Sequence, residues 1–123
     1  MIEVKNIIKS FEGRTVLNNI SAVFETGKTN LIIGRSGSGK TVMIKSIIGL
    51  IKPDSGQILY DNRDFTSMGK NELHVIRREM GMLFQGSALF DSMTVLENVL
   101  FPLDMFSKET KKEKIARAQF CLD

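Results

Sequence analysis

Cysteine occurs once, at Cys121, so no disulfide can close within the chain, and a reducing compartment is the expectation. No apolar run approaches the ~20 residues of a membrane span. The opening Met1-Ile2-Glu3-Val4-Lys5-Asn6 carries an acid and an amide where a secretory leader has a continuous apolar core. A cytoplasmic location is therefore expected. The net charge of +3 is too small to argue for a nucleic-acid partner. Lys108, Lys111, Lys112, Lys114 and Arg117 cluster, but Glu109 and Glu113 share their segment, as on a solvated helix face. Histidine also occurs once, and His74 reads as an ordinary helix residue. With 123 residues, 42% hydrophobic and 25% charged, the chain has the size and composition of one globular domain.

What is present is Gly34-Arg35-Ser36-Gly37-Ser38-Gly39-Lys40-Thr41, which satisfies G-x-x-x-x-G-K-[ST] at every fixed position. A backbone wrapping a polyphosphate must turn sharply and come close, and side chains at Gly34 or Gly39 would stand in the way. Successive N–H groups then face the oxygens, Lys40 supplies a point charge to the β- and γ-phosphates, and the Thr41 hydroxyl completes a magnesium shell. Arg35, Ser36, Gly37, Ser38 and the following Val42 complete the expected phosphate cradle. Thr29-Asn30-Leu31-Ile32-Ile33 leads into the loop and predicts a buried parallel strand. Beyond it, Met43, Ile44, Ile47, Ile48 and Ile51 predict one apolar helix face, with Lys45 and Ser46 off that stripe. Gly49 and Pro53-Asp54-Ser55-Gly56 end that helix.

Around this centre, Glu3 to Ile7, Val16-Leu17 and Ile20 to Phe24 read as strands with a turn at Glu12-Gly13-Arg14. Gln57 to Tyr60 is a further strand, turning at Asp61-Asn62. The expected architecture is α/β, a small antiparallel layer beside a parallel core. Ser67 to Glu79 reads as a helix with Leu73 and Ile76 inward, and Met80 to Phe84 as a buried strand ending at Gln85. Thr94-Val95-Leu96-Glu97 is a capping box that starts a helix, which Pro102 should end or kink. Ser107 is the expected cap of a last helix with a Glu113–Arg117 pair.

With these segments placed, the chain resembles the ATP-binding subunits of ABC transporters from its first residue to its last. The fold that this implies is the P-loop NTPase core of an ABC ATPase behind an N-terminal antiparallel β layer. Residues 1–85 would form the β subdomain with the phosphate loop, and 86–123 the start of a helical subdomain. The resemblance places Phe11, in Ser10-Phe11-Glu12-Gly13-Arg14-Thr15-Val16-Leu17, as the aromatic that stacks on adenine. It makes Met82-Leu83-Phe84-Gln85 the Q-loop strand, with Gln85 touching the magnesium ion or the attacking water. Gly86 to Val99, continuing to Phe101-Pro102-Leu103, is similar to ATPases of lipid-trafficking transporters that work with MCE-type substrate-binding proteins, the Mla and toluene-tolerance group. Leu89, Phe90 and Met93 are then either contacts to the membrane subunits or core of the helical subdomain.

The resemblance implies ATP or ADP with Mg2+ as ligands, transmembrane permease subunits, a second ATP-binding subunit and an MCE-type protein as partners, no nucleic acid, and a place on the inner face of the cell membrane. Three parts of the family's machinery have no counterpart in these residues: the catalytic glutamate after four apolar residues and an aspartate, the L-S-G-G-Q signature, and the switch histidine. Ile58-Leu59-Tyr60-Asp61 and Ala88-Leu89-Phe90-Asp91 are imperfect look-alikes, followed by Asn62 and Ser92. The expectation is a truncated subunit that binds nucleotide weakly and hydrolyses ATP slowly or not at all. The competing readings are a soluble ABC-type ATPase acting on DNA or ribosomes and a nucleotide-binding module without catalysis.

Overall fold

The computed structural model describes residues 1–86 and 88–123. The described chain divides into two compact units, Met1–Gly81 and Met82–Asp123.

The first unit is built on a four-stranded antiparallel sheet in the order β2-β1-β3-β4. Strands β1 (Ile2–Phe11) and β2 (Arg14–Phe24) form a hairpin across Glu12-Gly13, both at positive φ. β3 (Ser55–Tyr60) pairs with the other edge of β1, and Asp61-Asn62, again both at positive φ, turns it into the short β4 (Arg63–Asp64). Such turns match the natural twist of the strands they join.

A line of irregularity crosses three strands and decides which side chains face inward. Asn6 and Asn19 have φ of 50° and 54°, Gly56 has φ of 90°, and the pairing register shifts beside them. The Asn6 amide Nδ2 donates to Asn19 Oδ1 at 2.9 Å, and the Asn6 N–H donates to Ser21 Oγ at 2.9 Å. One extra residue slips the two-residue alternation, so Val4 and Ile7 both point to the core, as do Leu17 and, partly, Ile20.

Helix α1 (Lys40–Ile47) lays Met43 and Ile47 on this face against Val4, Ile7, Leu17 and Ile58. Its buried face includes Ser46, which the apolar pattern had placed off the stripe, whereas Ile44 is exposed. Ser46 is tolerated there because its hydroxyl donates to the Val42 carbonyl at 2.8 Å. The helix stops in a left-handed turn at Gly49, with Gly49 N–H on Ser46 O at 3.1 Å and Leu50 N–H on Lys45 O at 2.8 Å. Helix α2 (Lys70–Arg78) buries Ile76 and half-buries Leu73, as expected, and the Glu72 carboxylate accepts the Gly69 N–H at 3.0 Å.

The two expected buried strands, Thr29–Ile33 and Met80–Phe84, are not formed. Residues 29–33 and 80–84 lack strand pairing, and Leu31, Ile33 and Leu83 are 83%, 81% and 93% exposed. Both runs have the composition of strands covered on two faces, but a parallel strand exists only through its neighbours. Among the described residues none pairs with either run.

Tyr60 joins sheet to helix. Its ring lies 5.0 Å from that of Phe65, and its hydroxyl donates to the Ile47 carbonyl at the end of α1. Burial pushes the phenol up from 10.0 to about 12. The unfolded chain therefore releases this proton first as pH rises. The contribution of neutral Tyr60 is complete below pH 10 and is lost as pH rises from 10 through 12. At 1.36 kcal/mol per pH unit it amounts to roughly 2–3 kcal/mol. Denaturant titrations should show this alkaline decline in the wild type and its absence in Tyr60→Phe, which should also cost about 1–2 kcal/mol at neutral pH by orphaning the carbonyl.

In the second unit, α3 (Val95–Phe106) opens on the expected capping box, with Glu97 N–H on Thr94 Oγ1 at 3.2 Å and Thr94 N–H on the Glu97 carboxylate at 2.6 Å. It runs through Pro102, forgoing one backbone bond. Helix α4 (Lys111–Leu122) is capped by Thr110 rather than Ser107, because Glu113 completes a second capping box with Thr110. That engages Glu113 at the helix start, and among the described residues no ion pair joins it to Arg117, whose guanidinium stands 5.4 Å from the Phe120 ring. α3 and α4 pack on each other, with Ala118 buried and Lys114 Nζ 3.3 Å from Asp104 Oδ1.

Candidate functional site

The segment Gly34–Thr41 forms a loop that ends on the N-terminus of α1. Ser38 N–H donates to Arg35 O at 3.1 Å, closing the turn; Gly37 follows at φ 74° and Gly39 at φ 93°. Gly39 is the residue before the helix and is wedged against β2: a Cβ there would lie 3.1 Å from the Val16 carbonyl and 3.1 Å from Leu17. At Gly34 a Cβ would come within 2.6 Å of Ser38 Oγ. The glycine requirements read from the pattern thus correspond to close approaches and a left-handed backbone.

Lys40 folds back over this loop. Its ammonium donates to Gly34 O and Arg35 O, each at 2.6 Å, with Ser38 Oγ at 3.5 Å. Of the three donors of an ammonium, two are committed to the backbone and the third faces Ser38 Oγ, which fixes the charge over the loop. Arg35, Ser36, Gly37, Ser38 and Thr41 are exposed, and Val42 is half-buried.

The start of α1 differs from every other helix start among the described residues. Helices α2, α3 and α4 each carry a glutamate in the first turn, Glu72, Glu97 and Glu113, whose carboxylate accepts a backbone N–H. α1 has no acid in its first turn and no side-chain cap. Its first-turn amides lack an intrahelical acceptor, and the helix dipole puts positive potential on them. Together with Lys40 they concentrate positive potential at the loop, the kind of arrangement by which helix starts hold anions such as phosphate. A cavity of about 240 Å³ opens at the loop, lined by Gly34, Ser38, Gly39 and Lys40 of the loop on one side and by Leu17, Ile20, Ile32, Ile33 and Met43 on the other.

The fit to a metal is narrower. Among the described residues no group of three or more His, Cys, Asp or Glu side chains converges. Thr41 offers one exposed hydroxyl, which suits a magnesium ion that takes its remaining oxygens from phosphate and water.

Phe11 ends β1 and is 42% exposed. It lies on the same hairpin whose Val16 and Leu17 abut Gly39. The sequence reading missed Lys9, whose Nζ is 5.2 Å from the centre of the Phe11 ring, and Asp54, which binds Lys9. A Lys-x-Phe spacing within one strand was the available signal. Gln85 is exposed and belongs to the second unit. Leu89, Phe90 and Met93 are also exposed, with the Phe90 ring 4.8 Å from that of Phe101. The Asn98 side chain braces this segment, accepting from Phe90 N–H at 2.9 Å and donating to Thr94 O at 2.9 Å. Ser87, part of the lipid-transporter resemblance, lies outside the described residues.

The chain is similar to known proteins over most of its length. The family described as ABC transporter matches residues 17–122. The chain is 39% identical over 112 residues to the probable ribonucleotide transport ATP-binding protein mkl of Mycobacterium leprae, covering 91% of this chain and 32% of that protein. It is 40% identical over 103 residues to the intermembrane phospholipid transport system ATP-binding protein MlaF of Haemophilus influenzae, covering 84% and 39%. The chain thus spans about a third of the length of these relatives. The dimeric structure of MJ0796, a bacterial ABC transporter cassette, superposes with a TM-score of 0.88 at 35% identity, over 99% of this chain and 56% of that one. A second structure of that cassette, in a post-hydrolysis state bound to ADP and Pi, gives 0.87 at 34% identity over the same shares. The chain has the α/β fold of these cassettes and belongs to the ABC transporter family, among its ATP-binding subunits.

Proposed function

We propose that the chain is the nucleotide-binding part of a subunit that couples ATP hydrolysis to transport, with phospholipid or another lipid as cargo. One observation carries the nucleotide assignment: the Gly34–Thr41 loop delivers a backbone-fixed ammonium to a helix start free of acids and caps. In this reading the loop amides and Lys40 hold the phosphates, Val42 closes the cradle, and Phe11 stacks on the base. Thr41 offers an oxygen ligand for magnesium, and for Gln85 the family resemblance implies contact with the magnesium ion or the attacking water. Magnesium would supply charge neutralisation between the phosphates. Residues 1–85 serve as the β subdomain and 86–123 begin the helical one.

The lipid assignment rests on the Gly86–Leu103 resemblance and on the printed function of MlaF, a phospholipid transport protein. The working assembly in this reading is two ATP-binding subunits on the cytoplasmic face of a permease pair, with an MCE-type protein that binds the cargo. A soluble ATPase acting on nucleic acid or ribosomes is the competing reading, and copurification with membranes separates the two.

The 123 residues contain neither an L-S-G-G-Q sequence nor a glutamate after four apolar residues and an aspartate. Alone, they should therefore bind nucleotide weakly and release phosphate slowly or not at all. A phosphate-release assay decides this. Turnover at the rate of a complete ATPase, abolished by Lys40→Ala, would contradict it.

A further inference from the structure

We propose that Lys9, anchored by Asp54, is a positioning residue for the base: its ammonium backs one face of the Phe11 ring and leaves the opposite face for the purine. The inference rests on the reading of Phe11 as the stacking residue and adds to it a specific support.

Lys9 Nζ lies 5.2 Å from the ring centroid, inside the ~6 Å at which a cation is held by the negative face of an aromatic. This lysine is not a wandering surface side chain. It is 17% exposed and is held 2.9 Å from Asp54 Oδ1. Asp54 is fixed in turn, for its Oδ2 accepts the Ser10 N–H at 2.7 Å and its own N–H donates to Ile8 O at 2.8 Å. The hydrogen bonds from Lys9 and Ser10 hold its carboxyl below the ordinary carboxylate range, so it is charged at neutral pH.

A phenyl ring has two faces, and Phe11 is 42% exposed with one of them under the ammonium. A ring already held in place loses less rotamer freedom when a base stacks on it, which is the general origin of affinity through preorganisation. Asp54 comes from the loop that follows α1, whose other end carries the phosphate loop. The same ion pair therefore ties the base platform to the segment leaving the phosphate-binding helix. The purine and the triphosphate would be read by parts of one stitched unit.

The test uses the full 123-residue chain and two ligands, Mg-ATP and inorganic tripolyphosphate, titrated by calorimetry. Tripolyphosphate has the charge and no base. Lys9→Met should weaken ATP binding by about 3- to 10-fold, the scale of a cation–π contact with its preorganisation, and leave tripolyphosphate unchanged. Lys9→Arg should recover most of the ATP affinity, because a guanidinium also stacks on a ring. Asp54→Asn should reproduce the loss, and the Lys9→Met/Asp54→Asn pair should be no worse than Lys9→Met alone. Should Lys9→Met fail to fold by circular dichroism, Asp54→Asn and Lys9→Arg carry the comparison. Two results would overturn the proposal while sparing the stacking role: ATP affinity unchanged in Lys9→Met while Phe11→Ala is weakened, or equal loss for both ligands. If Phe11→Ala binds ATP like the wild type, or the wild type binds neither ligand, the underlying reading and this inference fall together.

Discussion

Lys40→Ala is expected to lower affinity for Mg-ATP by roughly a hundredfold, the loss of a charge-assisted contact worth about 2–3 kcal/mol. Two contributions disappear together. The ammonium no longer meets the phosphate charge, and the carbonyls of Gly34 and Arg35, each 2.6 Å from Nζ, lose the donor that holds the loop around it. Folding should be little affected, because Lys40 is only half-buried and the core contacts of α1 come from Met43 and Ile47. Lys40→Arg should not rescue, since a planar guanidinium cannot replace a compact ammonium that donates to two carbonyls at once. Fluorescence titration with a labelled ATP analogue, alongside thermal denaturation of each variant, separates binding from stability.

Gly56→Ala should be the most destabilising methyl group that can be added to the first unit. Its φ of 90° is unfavourable for any side chain, and a Cβ would sit 2.5 Å from Asn6 O and 2.6 Å from Lys5 O. Those are backbone atoms within β1, so they cannot swing aside as the tip of a side chain would. Relief requires opening the β1–β3 pairing at the bulge on which the inward positions of Val4 and Ile7 depend. Left-handed strain of about 1–2 kcal/mol and overpacking of about 1–3 kcal/mol add to roughly 2–5 kcal/mol. For a unit of this size each kcal/mol lowers Tm by about 4–8 °C, so a drop of about 8–40 °C is expected. Gly13→Ala is the control: its Cβ meets nothing within 4 Å, so it isolates the strain of positive φ from the clash.

Local chemistry carried most of what the sequence disclosed. The hairpin turn at Glu12-Gly13, the left-handed stop at Gly49 and the Thr94–Glu97 box are each decided by a few adjacent residues, and all three stand in the structure. The glycines of Gly34–Thr41 were legible in part: Gly37 and Gly39 take the positive φ that the pattern implies, whereas the close approach at Gly39 comes from Val16 and Leu17 of β2, which no local pattern discloses. What failed was whatever depends on a distant partner. The runs Thr29–Ile33 and Met80–Phe84 have strand composition without strand neighbours. Ser46 is buried and Ile44 is exposed because the placement of α1 on the sheet, not the apolar pattern alone, decides which face is covered. Thr110 displaces Ser107 as a cap since only Thr110 has a glutamate three residues on. The support of Phe11 escaped notice because Lys9 and Asp54 are 45 positions apart and meet only in the folded sheet.

Main-chain amides of one glycine-rich loop, with one lysine, are expected to grip a triphosphate. Backbone amide NMR during titration with Mg-ATP addresses this expectation residue by residue. The expected result is saturating shifts concentrated at Gly34 to Val42, absent in Lys40→Ala, with Phe11 following when ATP but not tripolyphosphate is added. Saturable binding whose shifts fall elsewhere and leave Gly34 to Val42 unmoved would contradict the account.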